Sequence, residues 1–67
     1  MDIQIEGDYI TLTQFLKTAN LVSTGGEAKF YIQENDIYVN GSLEKRRGKK
    51  LRRHDTICID QQKYKIV

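Results

Sequence analysis

Seven of the ten residues from Lys45 to His54 are lysine or arginine: Lys45, Arg46, Arg47, Lys49, Lys50, Arg52 and Arg53. A 67-residue chain cannot bury that much charge, so this stretch belongs on the surface and the core must come from its flanks. Gly48 at its middle and Leu51 as its one apolar anchor point to a shaped loop rather than a featureless tract. The stretch holds no acid of its own, and Glu44 and Asp55 merely bracket it. Residues 1–44 carry two bases, Lys17 and Lys29, against seven acids, while residues 55–67 balance at zero. The formal net charge of +2 therefore conceals a strongly polarised molecule. Such a patch suits a polyanion, because each neutralised phosphate releases condensed counterions.

Chain length sets the next limit. One domain of this size buries only about 60% of its unfolded surface, which leaves a thin stability margin. Apolar residues at 39% suffice for one compact core but not for an enclosed active-site cavity as well. Cys58 is alone, which excludes an intramolecular disulfide and fits a reducing compartment. His54 has no second ligand at metal spacing and a zinc site needs about four, so neither a metal nor any other cofactor is expected. A nucleophilic triad lacks partners in the same way, which argues against an enzyme. No apolar run approaches the roughly 18 residues of a membrane span, and Met1-Asp2 begins neither a basic nor an apolar signal region. The expectation is a soluble, cytoplasmic monomer.

Periodicity supplies the elements. Ile3 and Ile5 alternate with polar neighbours as a short strand, broken by Gly7-Asp8. Thr11 and Gln14 have capping-box spacing, and Leu12, Phe15, Leu16 and Ala19 then follow a helical stripe, predicting a helix from about Leu12 to Asn20. Thr24 and Glu27 repeat the capping spacing, with Ala28, Tyr31 and Ile32 as the inner face of a second helix ending near Glu34. Asn35 reads as its left-handed terminator. Ile37 and Val39 alternate around Tyr38 up to the turn pair Asn40-Gly41. Ile57 and Ile59, then Tyr64 and Ile66, form a hairpin about a turn at Gln61-Gln62. The fold class is α+β: two short helices in a helix-turn-helix-like pair, packed on a small, mostly antiparallel sheet. No linker or repeat divides it, so residues 1–67 make a single domain.

A second candidate site lies at Ser23-Thr24-Gly25-Gly26-Glu27-Ala28-Lys29. Helix N-termini present unpaired N–H groups, and glycines let a phosphate approach the backbone closely. The segment lacks the Gly-Lys-Ser/Thr of nucleotide hydrolases. Among the aromatics, Tyr38 points away from Ile37 and Val39 and is available to stack on an unpaired base, with Phe30 a weaker candidate. Phe15, Tyr31 and Tyr64 read as core.

Taken together, Leu16-Lys17, the Ser23–Lys29 segment, Ile32, Ile37-Tyr38-Val39-Asn40-Gly41, Arg46-Arg47-Gly48-Lys49-Lys50-Leu51, Asp55 and Ile57 run in a characteristic order and spacing. From about Thr11 to Ile59 this resembles the alpha-L RNA-binding domain, the module of ribosomal protein S-four. It looks most like the small stand-alone bacterial proteins of the YaaA/YbcJ type. The resemblance implies a non-enzymatic, rRNA-binding type of module. Its RNA surface would include Lys17, Thr24, Gly25, Gly26, Lys29 and Asn40, continuing through Arg46, Arg47, Lys49 and Lys50, with Lys45, Arg52 and Arg53 from the same basic run. Thr24 stands where many members have arginine, Asn35 where a glycine is usual, and His54-Asp55 where Gly-Asp is usual.

The leading expectation is therefore phosphate-backbone binding to a structured ribosomal or transfer RNA, with the loop and the glycine-led helix side by side. The alternative is an adaptor that docks its basic loop on an acidic protein in ribosome or replication assembly, since charge alone does not separate phosphate from carboxylate. A polybasic membrane contact is a third reading, but no lipidation signal or amphipathic anchor accompanies the loop.

Overall fold

The computed structural model describes all 67 residues. Strand β1 (Asp2–Ile3) leads to β2 (Ile10–Thr11), α1 (Leu12–Thr18) and α2 (Gly25–Glu34). There follow β3 (Ile37–Val39), β4 (Ser42–Leu43), β5 (Lys50–Leu51), β6 (Thr56–Ile59) and β7 (Gln62–Ile66). The main sheet has the order β1-β7-β6-β3-β4, and β2 pairs with β5 as a separate two-stranded ribbon. All pairings are antiparallel except β1 with β7. This is the α+β architecture expected from the sequence.

The core forms where the two periodicities meet. Helix α1 buries Leu12, Phe15 and Leu16, and α2 buries Ala28 and Ile32. The sheet answers with Ile37, Val39, Ile57, Ile59, Tyr64 and Ile66, each alternating with an outward residue. Phe15 meets Tyr64 edge-to-face, with ring centroids 5.3 Å apart and planes at 83°. Such a pair adds about 0.5–1.5 kcal/mol beyond the area it buries. Leu51 is fully buried, so the basic stretch is pinned into the same core by its single leucine.

Local details depart from the sequence reading in five places. Helix α1 stops at Thr18, because Asn20 takes the left-handed conformation (φ 61°) that ends it. Asn35 is extended instead (φ −126°, ψ 149°), and it closes α2 by donating both its N–H and its Nδ2 to the Tyr31 carbonyl. The last hairpin turns at Asp60-Gln61, both left-handed, rather than at Gln61-Gln62. At the start of α2 the Thr24 hydroxyl accepts the Glu27 N–H, but the reciprocal Glu27 contact is not made. Asn40-Gly41 is a two-residue turn with both residues left-handed (φ 52° and 85°), and it joins β3 to a β4 that periodicity does not reveal.

Candidate nucleic-acid interface

From Glu44 to Asp55 the chain is held by its backbone and by three of its cations. Glu44 donates its N–H to the Ile37 carbonyl, and Lys45 reaches across with its ammonium to the Ile32 and Asn35 carbonyls, 3.0 Å each. Helix α2 has no base in its own last turn, so Lys45 supplies the positive charge that a helix C-terminus favours. The next residues lie across the start of α1. The Arg47 carbonyl accepts from the Thr13 N–H and hydroxyl, and the Lys49 carbonyl accepts from the Leu12 N–H. With Thr11 capping the Gln14 N–H, the first three donors of α1 are satisfied. Beyond them β5 pairs with β2, and the Arg53 guanidinium forks onto the Gly7 and Ile5 carbonyls at 2.7 and 3.0 Å.

These contacts divide the seven cations. Lys45, Arg46 and Arg53 have their donors engaged inside the molecule. Arg47, Lys49, Lys50 and Arg52 make no side-chain hydrogen bond or ion pair. Arg46, Gly48, Lys49, Lys50 and Arg52 line an open groove of about 390 Å³ with no apolar residue in its wall. The backbone is tied down while the charged ends stay free.

Glu44 does more than bracket the run. Its carboxylate takes the Arg46 N–H, Nε and Nη2 at 2.9–3.0 Å, so with Lys45 paired to Asp36 at 3.7 Å two of the seven charges are locally matched. Asp55 is also engaged, accepting the Arg52 N–H and the Asn40 Nδ2. Asn40 in turn accepts the Thr56 N–H on its side-chain oxygen, so its amide locks the β3–β4 turn to β6. His54 is left-handed (φ 78°) in the turn from Arg52 to Asp55, a position that suits glycine better.

The second candidate segment lies elsewhere. Loop and helices meet at the start of α1 and the end of α2, and no hydrogen bond or ion pair joins the loop to Thr24–Lys29. Ten residues of helix, about 15 Å, separate the two ends of α2. Lys17, Thr24, Gly25, Gly26 and Lys29 are all exposed. A Cβ at Gly25 would meet nothing within 4 Å, and one at Gly26 would meet only the Thr24 hydroxyl at 3.8 Å. The protein's own packing therefore does not require either glycine, although glycine within a helix costs about 0.5–1 kcal/mol relative to alanine.

At 100° per residue, Glu27, Phe30, Tyr31 and Glu34 share one side of α2, while Gly26, Lys29 and Gln33 share another. Phe30 is 64% exposed in a groove whose rim carries the Glu27 and Glu34 carboxylates, which disfavours a phosphate there. Tyr38 is exposed on the outer face of the sheet. An aromatic that the sequence reading missed is Tyr9, 42% exposed, with the Lys50 ammonium 4.9 Å from its ring centroid. The only signal for it is the β2–β5 register, which links residues about 40 positions apart.

A family model described as the S4 domain matches residues 3–67. The chain belongs to the S4 domain family. It is also 41% identical over 58 residues to a Bacillus subtilis (strain 168) protein described as "Probable ribosome maturation protein RlbA", covering 87% of this chain and 82% of that protein. Within this S4 domain no group of three or more His, Cys, Asp or Glu residues is placed to hold a metal. No helix is long and apolar enough to cross a membrane.

The Glu44–Arg46 pair gives the S4 domain a pH signature. The Arg46 hydrogen bonds hold the Glu44 carboxyl down at about 2, against an ordinary 4.5. A depressed carboxylate stabilises the fold fully above its ordinary range and loses that contribution as pH falls toward the folded value. Because the Arg46 side chain is 73% exposed, solvent screening keeps the contribution of the pair small. Thermal melts of Glu44→Gln should thus lie below wild type at pH 6, with the gap closing between pH 4.5 and 2. A gap independent of pH would mean that the charge of Glu44 is irrelevant.

Proposed function

We propose that this S4 domain is a non-enzymatic, cytoplasmic RNA-binding module that grips the phosphate backbone of a structured ribosomal or transfer RNA. The observation that carries the reading is the division of labour in the basic loop. Its peptide groups are fastened to α1 while the Arg47, Lys49, Lys50 and Arg52 side chains have no hydrogen-bond or ion-pair partner, and the last three line one apolar-free groove. Cations held in place without internal partners suit repeated contacts to phosphate oxygens, which position an RNA without reading its sequence. Lys45, Arg46 and Arg53 add to the field but chiefly hold the loop's shape. Lys17, Lys29 and the Thr24–Gly26 helix start form a separate, lesser contact area, reached by a neighbouring stretch of the same RNA backbone. Asn40 acts through the turn it locks. Family membership supports the RNA-binding reading, and the name of the Bacillus relative supports a place in ribosome maturation.

The test is a salt titration of the purified domain on a structured RNA. If four or five phosphates are neutralised, log K should fall against log salt with a slope of roughly −3 to −4.5. A nearly flat response would remove the phosphate mechanism. Co-purification before and after RNase treatment separates this from a protein adaptor: partners lost with the RNA favour the module, and partners that survive favour the adaptor.

A further inference from the structure

Lys50 opens β5 and Arg52 directly follows it, on either side of buried Leu51, and both are exposed. Tyr9, just before the partner strand β2, lies among them. Its ring centroid is 4.9 Å from the Lys50 ammonium and 5.9 Å from the Arg52 guanidinium carbon. Neither side chain has a carboxylate or carbonyl partner, so the ring is the one group that holds them. Both also line the basic groove, which brings the ring to its rim. Among the strongly exposed aromatics Tyr9 alone has cations at its ring, whereas Phe30 has carboxylates beside it.

We propose that Tyr9, Lys50 and Arg52 form a subsite for one unpaired nucleotide, its base stacked on the Tyr9 ring and its phosphate held by the two cations. The proposal rests on the RNA-binding reading above and narrows it. A single nucleotide carries both groups that this cluster complements, a π-face and an adjacent anion. A cationic track with an aromatic platform is the chemistry that binds single strands, because every base offers a face to stack. A fully paired helix hides those faces, so the subsite selects RNA with a bulge or an end beside its duplex. The cations are already gathered at the ring, so little ordering is needed when the nucleotide arrives.

Fluorescence anisotropy with two RNAs tests this: a perfectly paired hairpin, and the same hairpin with a short unpaired 3′ extension. Wild type should prefer the extended RNA. Tyr9→Leu should lose that preference, on the order of 5- to 100-fold, the range for removing one stacked base, while Tyr9→Phe keeps it. Affinity for the paired hairpin should fall less than affinity for the extended RNA in Tyr9→Leu, because the Lys50 and Arg52 charges remain when the ring that gathers them is lost. The chain has no tryptophan, so Tyr9→Trp adds a single reporter whose emission should be quenched by the extended RNA and not by the paired one. Equal binding of both RNAs by wild type, or a preference that Tyr9→Leu retains in full, overturns the subsite and leaves phosphate binding standing. Failure of wild type to bind either RNA overturns both.

Discussion

Replacing Arg47, Lys49, Lys50 and Arg52 together by alanine should abolish RNA binding and leave the circular dichroism spectrum intact. None of the four side chains makes a hydrogen bond or ion pair inside the molecule, so the fold loses only the loose contacts with Tyr9. The loop's peptide carbonyls still hold Leu12 and Thr13, because that attachment does not depend on side-chain identity. If each lost phosphate contact is worth about 1 kcal/mol, the variant forfeits about 4 kcal/mol, or roughly a thousandfold in affinity. The residual binding should also show a much shallower dependence on salt. Anisotropy titration against a structured RNA reads both effects. An unchanged affinity would place the interface elsewhere on the molecule, and a lost spectrum would make the four residues structural.

Leu51→Ala should produce the opposite pattern, with every cation retained and the fold failing. Leu51 is fully buried and is the single apolar side chain in the basic loop. Truncating such a leucine costs about 2–5 kcal/mol, since a cavity is added to the lost transfer energy. A domain of this length has a total stability of only about 3–10 kcal/mol. The midpoint of thermal unfolding should therefore fall by about 10–30 °C, followed by circular dichroism. Leu51→Met, which conserves volume, should cost less than about 1.5 kcal/mol. Leu43→Ala is the control: Leu43 is 53% exposed, and its loss should stay within about 0.5 kcal/mol. A Leu51→Ala protein as stable as wild type would mean that the loop is not anchored through this residue.

What could be read from the residues was what depends on near neighbours. The spacing of Leu12, Phe15 and Leu16 reports α1 because a helix places them on one face. Ile57 with Ile59 and Tyr64 with Ile66 report β6 and β7 for the same kind of reason. Contacts between distant segments left no such trace. The ribbon of β2 with β5 rests on two residue pairs, and Asn35 needs no left-handed turn once Lys45 arrives from ten positions away to complete the end of α2. Glu44 reads as a solvated acid because its partner, Arg46, looks like one more loop cation. For the candidate site, the run of basic residues was plain, but its division into engaged and free members was not. That division is set by backbone carbonyls, which every residue type possesses.

The anchorage of the loop through main-chain oxygens has an evolutionary corollary. Positions 47 and 49 contribute their peptide oxygens to α1 whatever side chain they carry, so under the proposed RNA-binding role substitutions there would alter ligand affinity without disturbing the scaffold. Under that role, related chains should be able to exchange arginine, lysine or neutral residues at these sites and drift between tight and weak binding. Position 51 has no such latitude, and the rate of accepted change along the loop should fall abruptly there.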